Sequence, residues 1–140
     1  MPKILLMGGT GSGKSDLVRV LSDGQYSPRR LMAVEHCGPF VNTPGEFLEN
    51  RRFYPALITT AAECDMVLML ASATHASCLI PPQFATMFNR TVLGVVTSAD
   101  APRSDVERAR RFLQGAGVRT ILVTDFESGR GVPELRAVLG

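Results

Sequence analysis

The chain has 140 residues, a mass of 15.1 kDa, 45% hydrophobic and 20% charged residues and a formal net charge of +2. That size suits one domain with a real core, spanning residues 1–140, and the composition excludes a disordered chain. Basic residues scattered among acids exclude a nucleic-acid stripe, and no segment approaches the roughly 20 apolar residues of a membrane span.

In chain order, residues 3–7 form a short apolar run of the fully buried strand type. Its four apolar residues, Ile4 to Met7, fall short of the roughly 7–15 of a secretory h-region. The run leads directly into Gly8-Gly9-Thr10-Gly11-Ser12-Gly13-Lys14-Ser15, a full match to GxxxxGK[ST]. A helical pattern over Lys14–Leu21 follows, with Asp23-Gly24 as its stop. Strand, glycine-rich loop and helix in that order are what the motif's chemistry requires. Glycines let successive backbone N–H groups curl inward onto phosphate oxygens, and the helix N-terminus adds partial positive charge. Lys14 bridges the outer phosphates and is the candidate catalytic group, Ser15 offers a hydroxyl to Mg²⁺, and Asp16 completes the cofactor-binding stretch. The bland alternative is a glycine-rich turn capped by Ser15.

Residues 25–41 are less regular, with residues 31–35 and 39–41 expected to form a β-ribbon at a sheet edge. Phe40-Val41 then enters the turn Asn42-Thr43-Pro44-Gly45. Asn42 stands where many phosphate-binding folds place an Asp that helps hold Mg²⁺; otherwise it is a turn residue. A helix is expected over residues 53–63 and a buried strand over 66–71. The three cysteines, Cys37, Cys64 and Cys78, form no CxxC and are expected as reduced thiols of a cytosolic protein. His75 and Cys78 have a loose ligand spacing without a second pair, so loop or core packing is favoured over metal.

A strand at residues 91–97 ends in Thr97-Ser98-Ala99-Asp100. A carboxylate there can accept the two adjacent N–H donors of guanine, which adenine lacks. The alternative is Asp100 as N-cap of the helix expected over 103–114, which also carries a capping-box spacing at Ser104 and Glu107. A last strand at 120–124 and a helix at 133–139, with Pro133 in its first turn, close the chain. This alternation argues for a three-layer α/β domain, a mostly parallel sheet with helices on both faces and its ligand at the carboxyl ends of the strands.

The P-loop, Asn-Thr-Pro-Gly and Thr-Ser-Ala-Asp stand in the order of the P-loop GTPase motifs. The stretch Asn42-Thr43-Pro44-Gly45-Glu46-Phe47-Leu48-Glu49-Asn50-Arg51, then Phe53-Tyr54-Pro55-Ala56-Leu57 and Met87-Phe88-Asn89-Arg90, resembles the EutP/PduV family of ethanolamine and propanediol utilisation. The resemblance spans nearly the whole chain. It implies a Ras-like sheet, binding of GTP/GDP or ATP with Mg²⁺, and a cytoplasmic role at the shell or in the metabolism of a bacterial microcompartment. Some family members are described as acetate kinases.

Four positions depart from the family pattern. Asn42 replaces the Asp of DTPG, and a lost unit charge about 5 Å from another is worth ~3 kcal/mol before screening at an effective dielectric near 20. Ser98 replaces the Lys of TKAD, Asp125-Phe126 replaces the Ser-Ala pair after the last strand, and Leu31 takes the place of the first-switch Thr. Glu46 follows Gly45 where many GTPases carry the Gln that orients water; a surface Glu in a helix's first turn is the favoured alternative. The expected function is a nucleotide-binding accessory protein with slow or absent hydrolysis. An acetate kinase-type phosphotransferase and a non-binding pseudo-GTPase are the alternatives.

Overall fold

The computed structural model describes residues 2–26, 34–77 and 80–139. Its frame is a six-stranded sheet in the order β2-β3-β1-β4-β5-β6, comprising β1 (Ile4–Met7), β2 (Glu35–Cys37), β3 (Phe40–Asn42), β4 (Met66–Ser72), β5 (Thr91–Thr97) and β6 (Thr120–Val123). All pairings are parallel except that of β2 with β3, which places an antiparallel hairpin at one edge. The mostly parallel sheet expected from the alternation, and the Ras-like arrangement that the family resemblance implies, are therefore what forms.

The apolar runs partition by the two-residue period of a strand. Leu5 and Met7 of β1 face one core with Val67, Met69 and Val96. That core is covered by α3 (Tyr54–Ala62) and α4 (Val106–Gly115), through Leu57, Ala61, Ala109 and Leu113. Ile4 and Leu6 face the opposite core with Leu68, Leu70 and Val95, covered by α1 (Lys14–Leu21) and α5 (Val132–Leu139) through Leu17, Val18, Leu135 and Leu139. Both faces of the central strands are thus dry, which is why β1, β4 and β5 read as continuous apolar runs rather than alternations.

Several boundaries differ from the sequence expectations for identifiable reasons. The helix expected over 103–114 begins later, at Val106, because the Asp105 carboxylate takes the Arg108 N–H at 3.0 Å. The Ser104 hydroxyl instead donates to the Ala99 carbonyl at 2.7 Å, so the Ser104–Glu107 capping box does not form. Asp100 is not an N-cap either, since five turn residues separate it from α4. The helix expected from residue 53 is preceded by a 3₁₀ turn at Arg51–Phe53, capped by the Asn50 side chain. A four-residue helix, α2 (Glu46–Glu49), and a 3₁₀ turn at Phe84–Met87 had no periodic signal. The first ribbon strand lies at Glu35–Cys37, later than expected; residues 31–33 lie outside the described residues, as do Arg29, Arg30 and Cys78.

Cys37 and Cys64 are buried free thiols. Among the described residues no helix is long and apolar enough to cross a membrane, and no cluster of three His, Cys, Asp or Glu could hold a metal. His75 is half-buried, its Nε2 3.5 Å from where a Gly11 Cβ would stand.

Gly94, in the middle of β5, is packed closely by α4, β6 and the loop between them: an added Cβ would stand 2.9 Å from Val118 Cγ1, 3.1 Å from Leu113 Cδ1 and 3.2 Å from Ile121 Cγ1. Gly94→Ala is expected to lower unfolding stability by about 1–3 kcal/mol through overpacking, read from the urea midpoint. An unchanged midpoint would mean that this layer has slack to absorb a methyl group.

Candidate functional site

The parallel strands all deliver their carboxyl ends to one edge, and β1 lies where the chain leaves to opposite sides, toward β3 and toward β4. The register puts Asn42 beside Leu6, so the loop after β1 and the turn after β3 emerge together. They enclose a cleft of about 340 Å³ lined by Thr10, Gly11, Lys14 and Ser15 on one side and by Asn42, Thr43, Gly45, Glu46 and Glu49 on the other. The Thr43 hydroxyl donates to the Leu6 carbonyl at 2.8 Å and pins that second wall to β1.

The glycine loop has the backbone its sequence requires. Gly13 has φ 103° and ψ 14°, the left-handed region that permits the chain to turn directly into α1. A Cβ at Gly8 would collide with the Ser12 hydroxyl and stand 2.9 Å from the Leu70 carbonyl, so the loop's first residue must be bare. Thr97, at the end of β5, braces the loop: its hydroxyl donates to the Ser12 carbonyl at 2.6 Å, and its side chain packs on Gly13. Thr97 therefore supports the loop from behind and does not line the cleft.

Lys14 is the charged centre. Its ammonium donates to the carbonyls of Gly8 at 2.7 Å and Gly9 at 3.0 Å and to Ser12 Oγ at 3.3 Å, matching three donors with three acceptors. The residue is 8% exposed. Burial lowers its pKa from 10.5 to about 8, with the nearby Glu49 carboxylate acting in the opposite sense.

Asn42 is 1% exposed, and neither Oδ1 nor Nδ2 has a hydrogen-bond partner among the described residues. A buried amide with both ends unpaired is costly by about 1–3 kcal/mol for each group, and such sites are commonly completed by ligand or water. With the Ser15 hydroxyl lining the same cleft, the two candidate metal ligands are neutral oxygens, while the Glu46 and Glu49 carboxylates also line its wall. That set fits Mg²⁺ of the kind that keeps several waters and takes its anionic ligands from phosphates, and does not amount to a cage made by protein alone.

Glu49, one turn past the Asn-Thr-Pro-Gly segment, was overlooked in the sequence. Its Oε2 accepts the Thr10 backbone N–H at 2.7 Å, across 39 residues of sequence. That bond, followed by the Thr10 hydroxyl and the Lys14 charge, holds its carboxyl below the usual range against a smaller opposing effect of burial. Glu46 is exposed in the first turn of α2, as the surface reading expects. Asp16 is also exposed and pairs with Arg19 on the outer face of α1 rather than facing the cleft.

At the far end of the sheet edge, Asp100 sits on a turn whose first residue, Ser98, has φ 59°. Its carboxylate accepts Ser128 Oγ at 2.8 Å and Arg130 Nη1 at 2.8 Å. The turn is organised by Asp125, which is 5% exposed and accepts the N–H groups of Asp100, Glu127 and Ser128 at 2.8 to 3.1 Å. Burial pushes the Asp125 pKa up, but the Ser128, Asp100 and Glu127 N–H groups outweigh it and hold the carboxyl below its ordinary value. The departure at position 125 is thus a structural keystone of the loop beside Asp100. Leu31, the position of the first-switch Thr, lies outside the described residues.

The PduV-EutP family model, described as ethanolamine utilisation - propanediol utilisation, matches residues 1–140. The propanediol utilization protein PduV of Citrobacter freundii is 30% identical over 136 residues, covering 96% of this chain and 91% of that protein. The probable acetate kinase EutP of Escherichia coli (strain K12) is 29% identical over 119 residues, covering 84% of this chain and 75% of that protein. In fold, the chain is similar to the crystal structure of a probable GTP-binding protein engB, with a TM-score of 0.72 at 15% identity over 97% of this chain and 95% of that one. It is also similar to translation elongation factor SelB from Methanococcus maripaludis, with a TM-score of 0.58 at 18% identity over 97% of this chain and 32% of that one. A glycine loop turning into α1, an Asn-Thr-Pro-Gly wall opposite it and a family match from the first residue to the last lead to one assignment: the chain belongs to the PduV-EutP family and is built on the fold of the P-loop GTPases.

Proposed function

We propose that this protein binds the phosphates of a guanine or adenine nucleotide on residues 8–15 and acts as an accessory of ethanolamine or propanediol utilisation, with slow or absent hydrolysis. The observation that carries the reading is the cleft itself, with the Lys14 ammonium on one wall and the unpaired Asn42 amide on the other. Binding would draw Lys14 off the Gly8 and Gly9 carbonyls and onto phosphate oxygens, exchanging neutral acceptors for charged ones, which hydrogen-bond about twice as strongly. Ser15 and Asn42 would hold Mg²⁺, Asn42 through a water, and the ion would supply charge neutralisation at the outer phosphates. The acidic groups that line the cleft among the described residues, Glu46 and Glu49, are carboxylates, which phosphate repels, so neither is well suited to orient an attacking water. The family's description supports a role in ethanolamine or propanediol utilisation; a cytoplasmic setting at a bacterial microcompartment, with a shell protein as partner, is part of this proposal.

A second reading, phosphoryl transfer between an acyl phosphate and a nucleotide, is supported by the relatives named probable acetate kinase. It uses the same cleft, with Lys14 neutralising the transferring group. Acetate-dependent release of ADP that disappears in Lys14→Ala would establish it, and its absence would leave the accessory role.

Titration with GDP, GTP, ADP and ATP, each with and without Mg²⁺, tests the principal reading. Binding in the micromolar range is expected, and Lys14→Ala should weaken it at least about tenfold. No binding up to millimolar nucleotide would sink the proposal and favour a pseudo-GTPase.

The low pKa of Lys14 sets a pH dependence. In the folded protein Lys14 gives up its proton near pH 8, so phosphate affinity should fall as pH rises through 8 and beyond. Stability should move the other way. Between pH 8 and 10.5 the unfolded chain keeps a proton that the folded chain has lost, so folding strengthens with pH across that window. The burial penalty relieved is on the order of 3 kcal/mol. The difference in urea stability between wild type and Lys14→Met across pH 7 to 10 isolates this contribution; a flat difference would show that Lys14 titrates normally.

Asn42→Asp should tighten nucleotide binding in the presence of Mg²⁺ while lowering the melting temperature of the ligand-free protein, because a charge replaces a neutral amide at a buried position. If Mg²⁺ makes no difference to either protein, Asn42 is only a turn residue.

A further inference from the structure

We infer that Glu49 is a specificity-determining residue of the cleft, holding the place of a terminal phosphate and so favouring nucleoside diphosphate over triphosphate. The inference rests on the nucleotide-binding reading and adds to it the class of nucleotide the site prefers.

Three observations converge on it. The carboxylate is delivered by an anchored segment rather than by a free arm. Leu48, its neighbour, is 2% exposed, the Tyr54 hydroxyl donates to the Leu48 carbonyl at 3.2 Å, and Phe47 stacks on Phe53 with ring centroids 4.6 Å apart. Next, the anion it presents is already bound by the loop: the Thr10 N–H donates to Oε2 at 2.7 Å, and the Lys14 charge acts on the same carboxylate. The loop thus gives the carboxylate a backbone N–H and a nearby positive charge, the two kinds of group that a P-loop offers to phosphate, although the Lys14 ammonium itself bonds the Gly8 and Gly9 carbonyls and Ser12. Finally, the segment lies on the loop without a gap. A Cβ on Gly45 would stand 2.6 Å from both Cα and Oγ1 of Thr10. A group needing the Thr10 side of the cleft must therefore move Glu49 or share the space with it.

Phosphates differ in how they meet this arrangement. The inner phosphates would lie against the curled loop and the N-terminus of α1, the part of the site that Glu49 does not touch. The terminal phosphate of a triphosphate projects toward the opposite wall, where it meets a carboxylate of the same sign in a partly enclosed cleft. Glu49 is itself exposed, so solvent screens part of the repulsion, and what disfavours a third phosphate is the closeness imposed by a carboxylate held on the loop. A diphosphate leaves the Glu49–Thr10 bond intact.

The test is the ratio of triphosphate to diphosphate affinity, measured with guanine and with adenine nucleotides so that base preference cancels. Wild type, Glu49→Gln and Glu49→Ala are compared in Mg²⁺, with melting curves to confirm that all three are folded. Glu49→Ala, which removes the charge and opens the space, should raise the ratio about tenfold or more. Glu49→Gln, which keeps an oxygen for the Thr10 N–H and removes only the charge, should raise it by a smaller factor. An unchanged ratio in both variants, with nucleotide bound by all three proteins, overturns the inference and leaves the P-loop reading intact. Failure of all three to bind any nucleotide removes both.

Discussion

The site depends on a lysine ammonium folded under its own loop. Lys14 cannot remain both buried and charged without acceptors, and the nearest are the Gly8 and Gly9 carbonyls and the Ser12 hydroxyl. Turning those groups toward it requires a glycine at position 8, where a side chain would strike Ser12 and Leu70, and a left-handed residue at 13. The loop in turn must be backed, and Thr97 at the end of β5 does this through the Ser12 carbonyl. A single desolvated charge thus ties β1, the loop, α1 and β5 into one unit, although β5 lies two strands away in the sheet order.

The elements that carry this unit were legible in the sequence nearly to the residue. Residues 91–97 and Lys14–Leu21 occur as read, because an uninterrupted apolar run and a helix beginning at the P-loop lysine leave few alternatives. The less legible parts are those decided by single polar contacts. Ser104 and Asp105 are both good caps by type, and only the three-dimensional turn decides that Asp105 caps α4 while Ser104 reaches back to Ala99. The α2 helix was hidden because four residues are too few to show a period, and because the preceding Asn-Thr-Pro-Gly reads as a turn.

The candidate site divides in the same way. The glycine loop is legible because its chemistry is local and contiguous, so spacing alone specifies it. Glu49 is not, because its partner lies 39 residues away and is a backbone N–H, a group every residue but proline possesses. Asp125 shows the same blindness: its identity signalled a departure from the GTPase pattern, but its three backbone partners and its burial give it a structural role that composition cannot reveal. Asn42 lies between these cases. Its type suggested a weakened metal position, and the structure adds what type alone does not show, that both ends of its amide are buried without a hydrogen-bond partner among the described residues.

Arg130 and Ser128 present two donors to the Asp100 carboxylate, one to each oxygen. Guanine would present two donors to the same group. Elsewhere on the same sheet edge, in the cleft itself, the Glu49 carboxylate rests on a loop suited to phosphate. On the proposed nucleotide-binding reading, the protein would carry an imitation of each half of its ligand, a donor pair at the base end and an anion at the phosphate end. Occupation by a real nucleotide is then an exchange of partners rather than the filling of a void. On that reading its net free energy would be the difference between two similar sets of contacts, which would make affinity modest and release ready even in a cleft whose individual groups are well placed.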